Sequence, residues 1–435
     1  MHIKKGATVS RLLAGVAIPK MFHARQTFDR TRIAPAEIPT VVHAQLSQDA
    51  FRSRILPGSQ IAITAGSRGI ANVDIITKSI VDFVRECEAT PFIVAAMGSH
   101  GGATPAGQAA VLAGYGITEQ TMGCEIRSSM ETVEIGRSEC GVPVAIDRNA
   151  YESDGIIVSC RLKPHNAFRG SVESGPCKML TVGLGKQRGA ERVHSQGMGL
   201  IARNIPSMAK VVLERAPVLF AIPCIENAYD ETCHIEAILP EDLLDREPEL
   251  LRYAFTRMPR LIVGSCDVLI IDEIGKNYSG TGTDPNITGT FSTEFASGGI
   301  EVQRTCMLRL SAASHGNALG IGLASAITQR IFDDIDPEAM YPNCITSTVL
   351  SSARIPCVLA DDREAIQLCL RTCTGIDRAR PRVVRIPNSL NIGAIMLSES
   401  YYADVRSGRY QHLEALDAPC PLVFDESGDI EPMQV

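Results

Sequence analysis

Apolar runs and amphipathic stretches alternate along the first half of the chain. IAIT at 61–64 reads as a buried strand. After the polar GSRGIAN comes a helix over 73–87, with Ile76, Ile80, Phe83, Val84 and Cys87 on one face and Asn72 as the expected N-cap. PFIVAAM at 91–97 is the next strand, and Thr104 and Pro105 then supply the N-cap and first position of a second helix. GIIVSC at 155–160 and VLFAIPCI at 218–225 are further strands, separated by a helical IPSMAKVVLERA. Strands without polar alternation, each followed by an amphipathic helix, predict a parallel sheet covered on both faces. A Leu-, Glu- and Arg-rich helix over 243–260 connects to a second unit that begins at CDVLIIDEIG and includes IPCVLA, REAIQLCLRTC and PRVVRIP. The expected class is therefore α/β, with an N-terminal domain over 1–255 and a C-terminal domain over 256–435. SGDIEPMQV at the end is expected to be a loose tail.

Composition narrows the function classes. With 45% hydrophobic residues the chain can bury large cores, and a net charge of -7 without a basic stripe argues against nucleic acid as a partner. The 14 cysteines contain no CxxC pair, which argues against zinc ribbons and iron–sulfur clusters and suits a reducing cytoplasm. Lys4, Lys5 and Arg11 precede a short apolar stretch that lacks the features of a signal peptide, and no run is long enough to span a membrane.

The candidate chemistry lies in glycine-rich loops just past strands. His100 sits in MGSHGGATP, His165 in CRLKPHNAFRG, Lys178 in ESGPCKM and His194 in ERVHSQG. In open parallel sheets ligands bind beyond the carboxyl ends of the strands, so loops after neighbouring strands converge on one crevice. Arg68 follows the first strand and is a candidate anion partner. Gly101 and Gly102 leave room for a ligand near the backbone. Nucleotide and hydrolase motifs fail: Arg188 stands where a GxGxxG would need its third glycine, Pro176 stands where a phosphate-binding loop would need Lys, and neither GxSxG nor HExxH occurs. In the second domain, Asp272, Glu273 and Lys276 end a strand, where they could face a cleft or only solvate the strand end.

At GSHGG, KPH, the glycine-rich SGPCK and the following His, the chain resembles the lactate racemase family, whose members use a nickel-pincer nucleotide cofactor. The resemblance implies a racemase or epimerase that inverts the Cα centre of a 2-hydroxy acid by hydride transfer, in an active-site cleft between two domains. It implies that Lys178 tethers the cofactor, a Ni(II) pyridinium-3,5-bisthiocarboxylic acid mononucleotide, and that His194 ligates the nickel. His100 and His165 would be the acid/base pair. Arg68, Gly101 and Gly102 would lie near the cofactor, and Lys276 would hold the substrate carboxylate. Implied partners are the small-molecule substrate and the proteins that synthesise the cofactor and insert nickel. Ala65 stands where the family has an acidic residue, and the segment between His165 and Lys178 is longer. These departures point away from lactate itself. Two other readings use the same cleft: a cofactor-independent dehydratase or lyase on a polyhydroxy acid, and a non-catalytic protein that binds an anion or nucleotide.

Overall fold

The computed structural model describes residues 8–67 and 69–434. The chain divides into two compact units, Asp29–Met258 and a second that combines the chain up to Phe28 with everything from Pro259 onward.

The Asp29–Met258 unit is built on six strands in the spatial order Glu125–Arg127, Thr90–Ala95, Gln60–Ala65, Gly155–Arg161, Val218–Glu226 and Thr232–Ile235. All neighbours run parallel except the last pair. Successive side chains of a strand point to opposite faces. Ala62, Phe92, Val94, Ile156 and Val158 therefore enter one core, with Ile205, Met208 and Val212 of the helix Ile201–Arg215. Ile61, Ile63, Ile93 and Ile157 enter the other, with Ile76, Ile80, Phe83 and Val84 of the helix Val73–Glu86. Both faces are covered, which is why these strands read as unbroken apolar runs. The strand order reverses between Gln60–Ala65 and Gly155–Arg161, and such a reversal opens a crevice at the carboxyl ends.

Asn72 does precede the first helix, but it is not a side-chain cap. Its backbone is left-handed (φ 61°), and its amide donates instead to the Thr232 hydroxyl at 3.2 Å. Thr104 caps as expected, its hydroxyl accepting the Gly107 N–H at 3.1 Å, with Pro105 at the first helical position.

The second unit carries an eight-stranded sheet. Cys357–Leu359, Ala326–Thr328, Glu301–Leu310, Ser265–Ile274 and Val383–Ile386 run parallel, and Ala394–Ser398, Met21–Gln26 and Leu413–Ala415 extend the sheet antiparallel. The expected division into 1–255 and 256–435 thus differs from this clustering in the first 28 residues. Met21–Gln26 is hydrogen-bonded between two C-terminal strands, and its buried Phe22 and Ala24 enter their core.

The expected loose tail is pinned. Ile430 is buried, its N–H donates to Asp362 at 3.0 Å, and the Met433 N–H donates to Asp272 at 2.7 Å. Arg385 in turn donates to the Glu431 carbonyl at 2.5 Å. Polar tail residues gave no apolar signal, whereas their backbone groups satisfy charges buried in the sheet and at the start of the helix Asp362–Thr372. Ending the chain at Gly428 is expected to lower the thermal midpoint, because hydrogen bonds to charged groups contribute about 1.5–3 kcal/mol each. An unchanged melting curve would contradict this role.

Candidate active site

The loops that follow Gln60–Ala65, Thr90–Ala95 and Gly155–Arg161 carry Arg68, His100 and His165. Arg68 lies outside the described residues. The other two loops have built geometries.

His100 lies within a turn in which Gly98, Gly101 and Gly102 all have left-handed φ (58°, 66° and 65°). A Cβ on Gly101 would stand 2.6 Å from the Gln108 nitrogen, so this glycine is required by the helix Pro105–Gly114 that packs on it. Nothing lies within 4 Å of a Cβ position on Gly102, whose requirement is its φ alone. The His100 ring Nδ1 is 2.9 Å from the Met97 carbonyl oxygen. A carbonyl can only accept, so Nδ1 carries the proton and Nε2 of the neutral ring holds a lone pair.

His165 is framed differently. Glu173, 1% exposed, accepts the His165 N–H at 2.6 Å, and Arg169 donates to the His165 carbonyl at 2.6 Å. The imidazole packs on Phe168 with ring centroids 4.4 Å apart. Its Nδ1 accepts the Ala167 N–H at 3.1 Å, so Nδ1 holds the lone pair and Nε2 of the neutral ring carries the proton. Burial, then the Lys178 charge, then His194, push this imidazole well below its ordinary pKa of 6.5.

Lys178 ends the short helix Pro176–Lys178 and is followed by one π-helical turn, Met179–Gly183. π-turns within helices recur at functional sites. The turn leads to the helix Lys186–His194, whose last residue is His194. Burial and the Lys178 charge lower the His194 pKa. Lys178, His165 and His194 are therefore within electrostatic reach of one another. The Gly98 N–H donates to the Gly183 carbonyl at 3.1 Å, which seats the His100 loop on the turn after Lys178. Lys276 belongs to the other compact unit, at the carboxyl end of Ser265–Ile274, where its amine donates to the Gly280 carbonyl at 2.6 Å. Asp272 neither faces a cleft nor solvates the strand end, because it is 1% exposed and paired with Arg385.

Glu247, on the helix Leu243–Arg257, gave no sequence signal as a site residue. It is 1% exposed, and its Oε2 accepts the Cys177 N–H at 2.8 Å, beside the start of the Lys178 helix. A Cβ on Gly175 would stand 2.4 Å from its Oε1, so the glycine before the helix makes room for the carboxyl group. Burial raises the Glu247 pKa from 4.5 to about 7. A carboxyl group with a raised folded pKa contributes most stability below its unfolded value and loses that contribution as pH rises through the folded one. The Asp29–Met258 unit should therefore lose stability between pH 4.5 and about 7 through this group. Glu247→Gln, which retains an acceptor for Cys177, should flatten that slope in denaturant titrations at several pH values. A variant with the wild-type slope would exclude this assignment.

The fit of a metal-bearing cofactor rests on His194. Its Nδ1 is buried and has no hydrogen-bond partner, and leaving such a nitrogen unsatisfied costs about 1–3 kcal/mol. Among the described residues no three His, Cys, Asp or Glu side chains cluster as a metal site. A metal held at His194 must therefore draw its other donors from a bound group. The Lys178 charge acts on both neighbouring imidazoles, and conversion of its amine to a neutral amide-like linkage would remove a charge from this buried setting. The residues present thus fit a Lys-tethered metal cofactor.

Among the described residues no helix is long and apolar enough to cross a membrane. A search of curated proteins finds no match. Among solved structures, the lactate racemase apoprotein from Thermoanaerobacterium thermosaccharolyticum is similar at 13% identity, over 75% of this chain and 82% of that one, with a TM-score of 0.46. Residues 24–200 match the family model of the lactate racemase N-terminal domain, a span that holds Arg68, His100, His165, Lys178 and His194. Over that span the chain is similar to the lactate racemase N-terminal domain.

Proposed function

We propose that the protein is a racemase or epimerase that inverts the Cα centre of a 2-hydroxy acid, with a nickel-pincer nucleotide carried on Lys178. The observation that supports this reading best is the electrostatic clustering of Lys178, His165 and His194 beside a loop bearing His100. When bound, the cofactor supplies a centre that accepts and returns a hydride. His194 would hold the nickel through an imidazole whose pKa burial and the Lys178 charge lower, which favours the neutral form a metal needs. Gly101, Gly102 and Arg68 would border the cofactor, and Lys276 would hold the substrate carboxylate.

The two acid/base imidazoles start from opposite tautomers. As hydride leaves Cα, Nε2 of His100 takes the hydroxyl proton, and its Nδ1–H bond to Met97 holds the ring oriented while it does so. His165 presents a neutral Nε2–H that donates a hydrogen bond to the substrate oxygen, and the proton taken by His100 returns to that oxygen when hydride is restored to the opposite face of Cα. For His165 to take the proton instead, it must first release the Ala167 N–H so that Nδ1 can carry a proton. Without hydride transfer, removal of the Cα proton would place a carbanion beside a carboxylate, which is costly.

The test is a screen of single-enantiomer 2-hydroxy acids, including longer and polyhydroxylated ones, with protein co-expressed with cofactor-synthesis and nickel-insertion proteins. Appearance of the opposite configuration supports the reading. Formation of a dehydrated product would favour a lyase instead, and binding without turnover would favour a sensor.

A further inference from the structure

Outside the groups assigned above, the most heavily built polar cluster in the Asp29–Met258 unit joins Gln108, Lys186 and Asp147, each 0% exposed. Lys186 and Asp147 form an ion pair at 3.0 Å. The Lys186 amine also donates to the Ala95 carbonyl, at the end of its strand, and reaches the Gln108 Oε1 at 3.4 Å. Gln108 then turns its Nε2 to the Gly98 carbonyl at 3.0 Å and the His100 carbonyl at 3.2 Å. All polar functions of this amide are used. Asp147 closes the cluster from the other side: its N–H donates to the Leu184 carbonyl at 2.7 Å, and its carboxylate accepts the Ala150 N–H at 2.9 Å.

Such a pair is poor evidence for stability, because well-packed apolar residues often do as well in a core. Here the arrangement carries an added cost. Lys186 is a non-glycine residue with φ 55°, a left-handed conformation that side chains disfavour. What the cluster delivers is register. Lys186 opens the helix that ends at His194, and Gln108 grips both backbone carbonyls that flank Ser99 in the His100 loop.

We propose that Gln108, anchored by the buried Lys186–Asp147 pair, is the positioning residue that fixes the His100 loop against the segment joining Lys178 to His194. The catalytic part of this inference rests on the function proposed above, and the structural part does not.

The two are separated by measuring backbone hydrogen exchange across 97–104 in the cofactor-free chain. Gln108→Glu keeps an acceptor for Lys186 but sets a carboxylate against two carbonyls. Exchange in the loop should rise by about tenfold or more relative to amides elsewhere in the Asp29–Met258 unit. Lys186→Met combined with Asp147→Leu removes the anchoring pair without leaving a lone buried charge, should loosen the same loop, and serves as the second variant if Gln108→Glu does not fold. A loop that exchanges at the wild-type rate in the folded variants overturns the inference whatever the activity. A loosened loop in a protein whose loaded wild type inverts no hydroxy acid supports the positioning and sinks the function instead. In an active enzyme, Gln108→Glu should lower kcat by about tenfold or more with KM within about threefold, and adding His100→Ala should cost little further. Independent, multiplicative losses from the two substitutions would count against it.

Discussion

His100→Ala is expected to lower turnover by about 10²–10⁴-fold, the usual contribution of a positioned acid/base group, while leaving the cofactor on Lys178. The ring lies within a turn set by three left-handed glycines, and its Nδ1 is engaged by Met97. Removing it should leave the Lys178 and His194 segment intact. His165→Ala should also be inactive, but His165→Gln should not be equivalent. A glutamine amide can donate a hydrogen bond as the neutral Nε2–H does but cannot take up a proton, so it should retain more activity than His165→Ala, with kcat/KM falling by the same factor from either enantiomer because the equilibrium constant is unchanged. Progress curves from each pure enantiomer, with intact mass as the control for loading, decide the matter. Near-wild-type turnover of His100→Ala would remove it from the acid/base role.

The largest stability effect is expected at Asp272. Its carboxylate receives two hydrogen bonds from Arg385, at 2.7 and 2.8 Å, and a third from the Met433 N–H at 2.7 Å. Both side chains are almost fully buried. Asp272→Ala leaves the guanidinium buried without its counter-charge, and breaking a buried pair from one side costs about 3–5 kcal/mol. Replacing both partners with apolar residues, as in Asp272→Leu with Arg385→Met, should recover much of that loss because no lone charge remains. Denaturant unfolding of the single and double variants measures the difference. A single variant as stable as the wild type would show that the pair is not what holds the tail and sheet together.

How far the sequence carries depends on the range of the interactions. Unbroken apolar runs predicted the central parallel strands near their actual bounds, since burial on both faces leaves a local mark. The strand Met21–Gln26 left none. It pairs with residues near 395 and 414, and its own stretch, MFHARQ, alternates too briefly to stand out. The four candidate residues stood out because their glycine-rich settings are local, although Lys178 and His194 were expected in loops and instead end helices. The groups that hold those residues in place were not. Gln108 in AGQAA, Lys186 in GKQRG and Glu247 in REPEL look like ordinary solvated positions, and only the folded chain shows each of them buried. Asn72 illustrates the reverse error: its type and place suit a cap, but a tertiary partner at Thr232 takes the side chain.

The central claim is that Lys178 carries a nickel-bearing group beside His194. The direct measurement is intact mass with peptide mapping and nickel quantitation on protein co-expressed with the cofactor-synthesis proteins. A mass increase confined to the Lys178 peptide, absent from Lys178→Ala, with about one nickel per chain that is lost on His194→Ala, is the expected result. An unmodified, nickel-free protein that still inverts a hydroxy acid would contradict it.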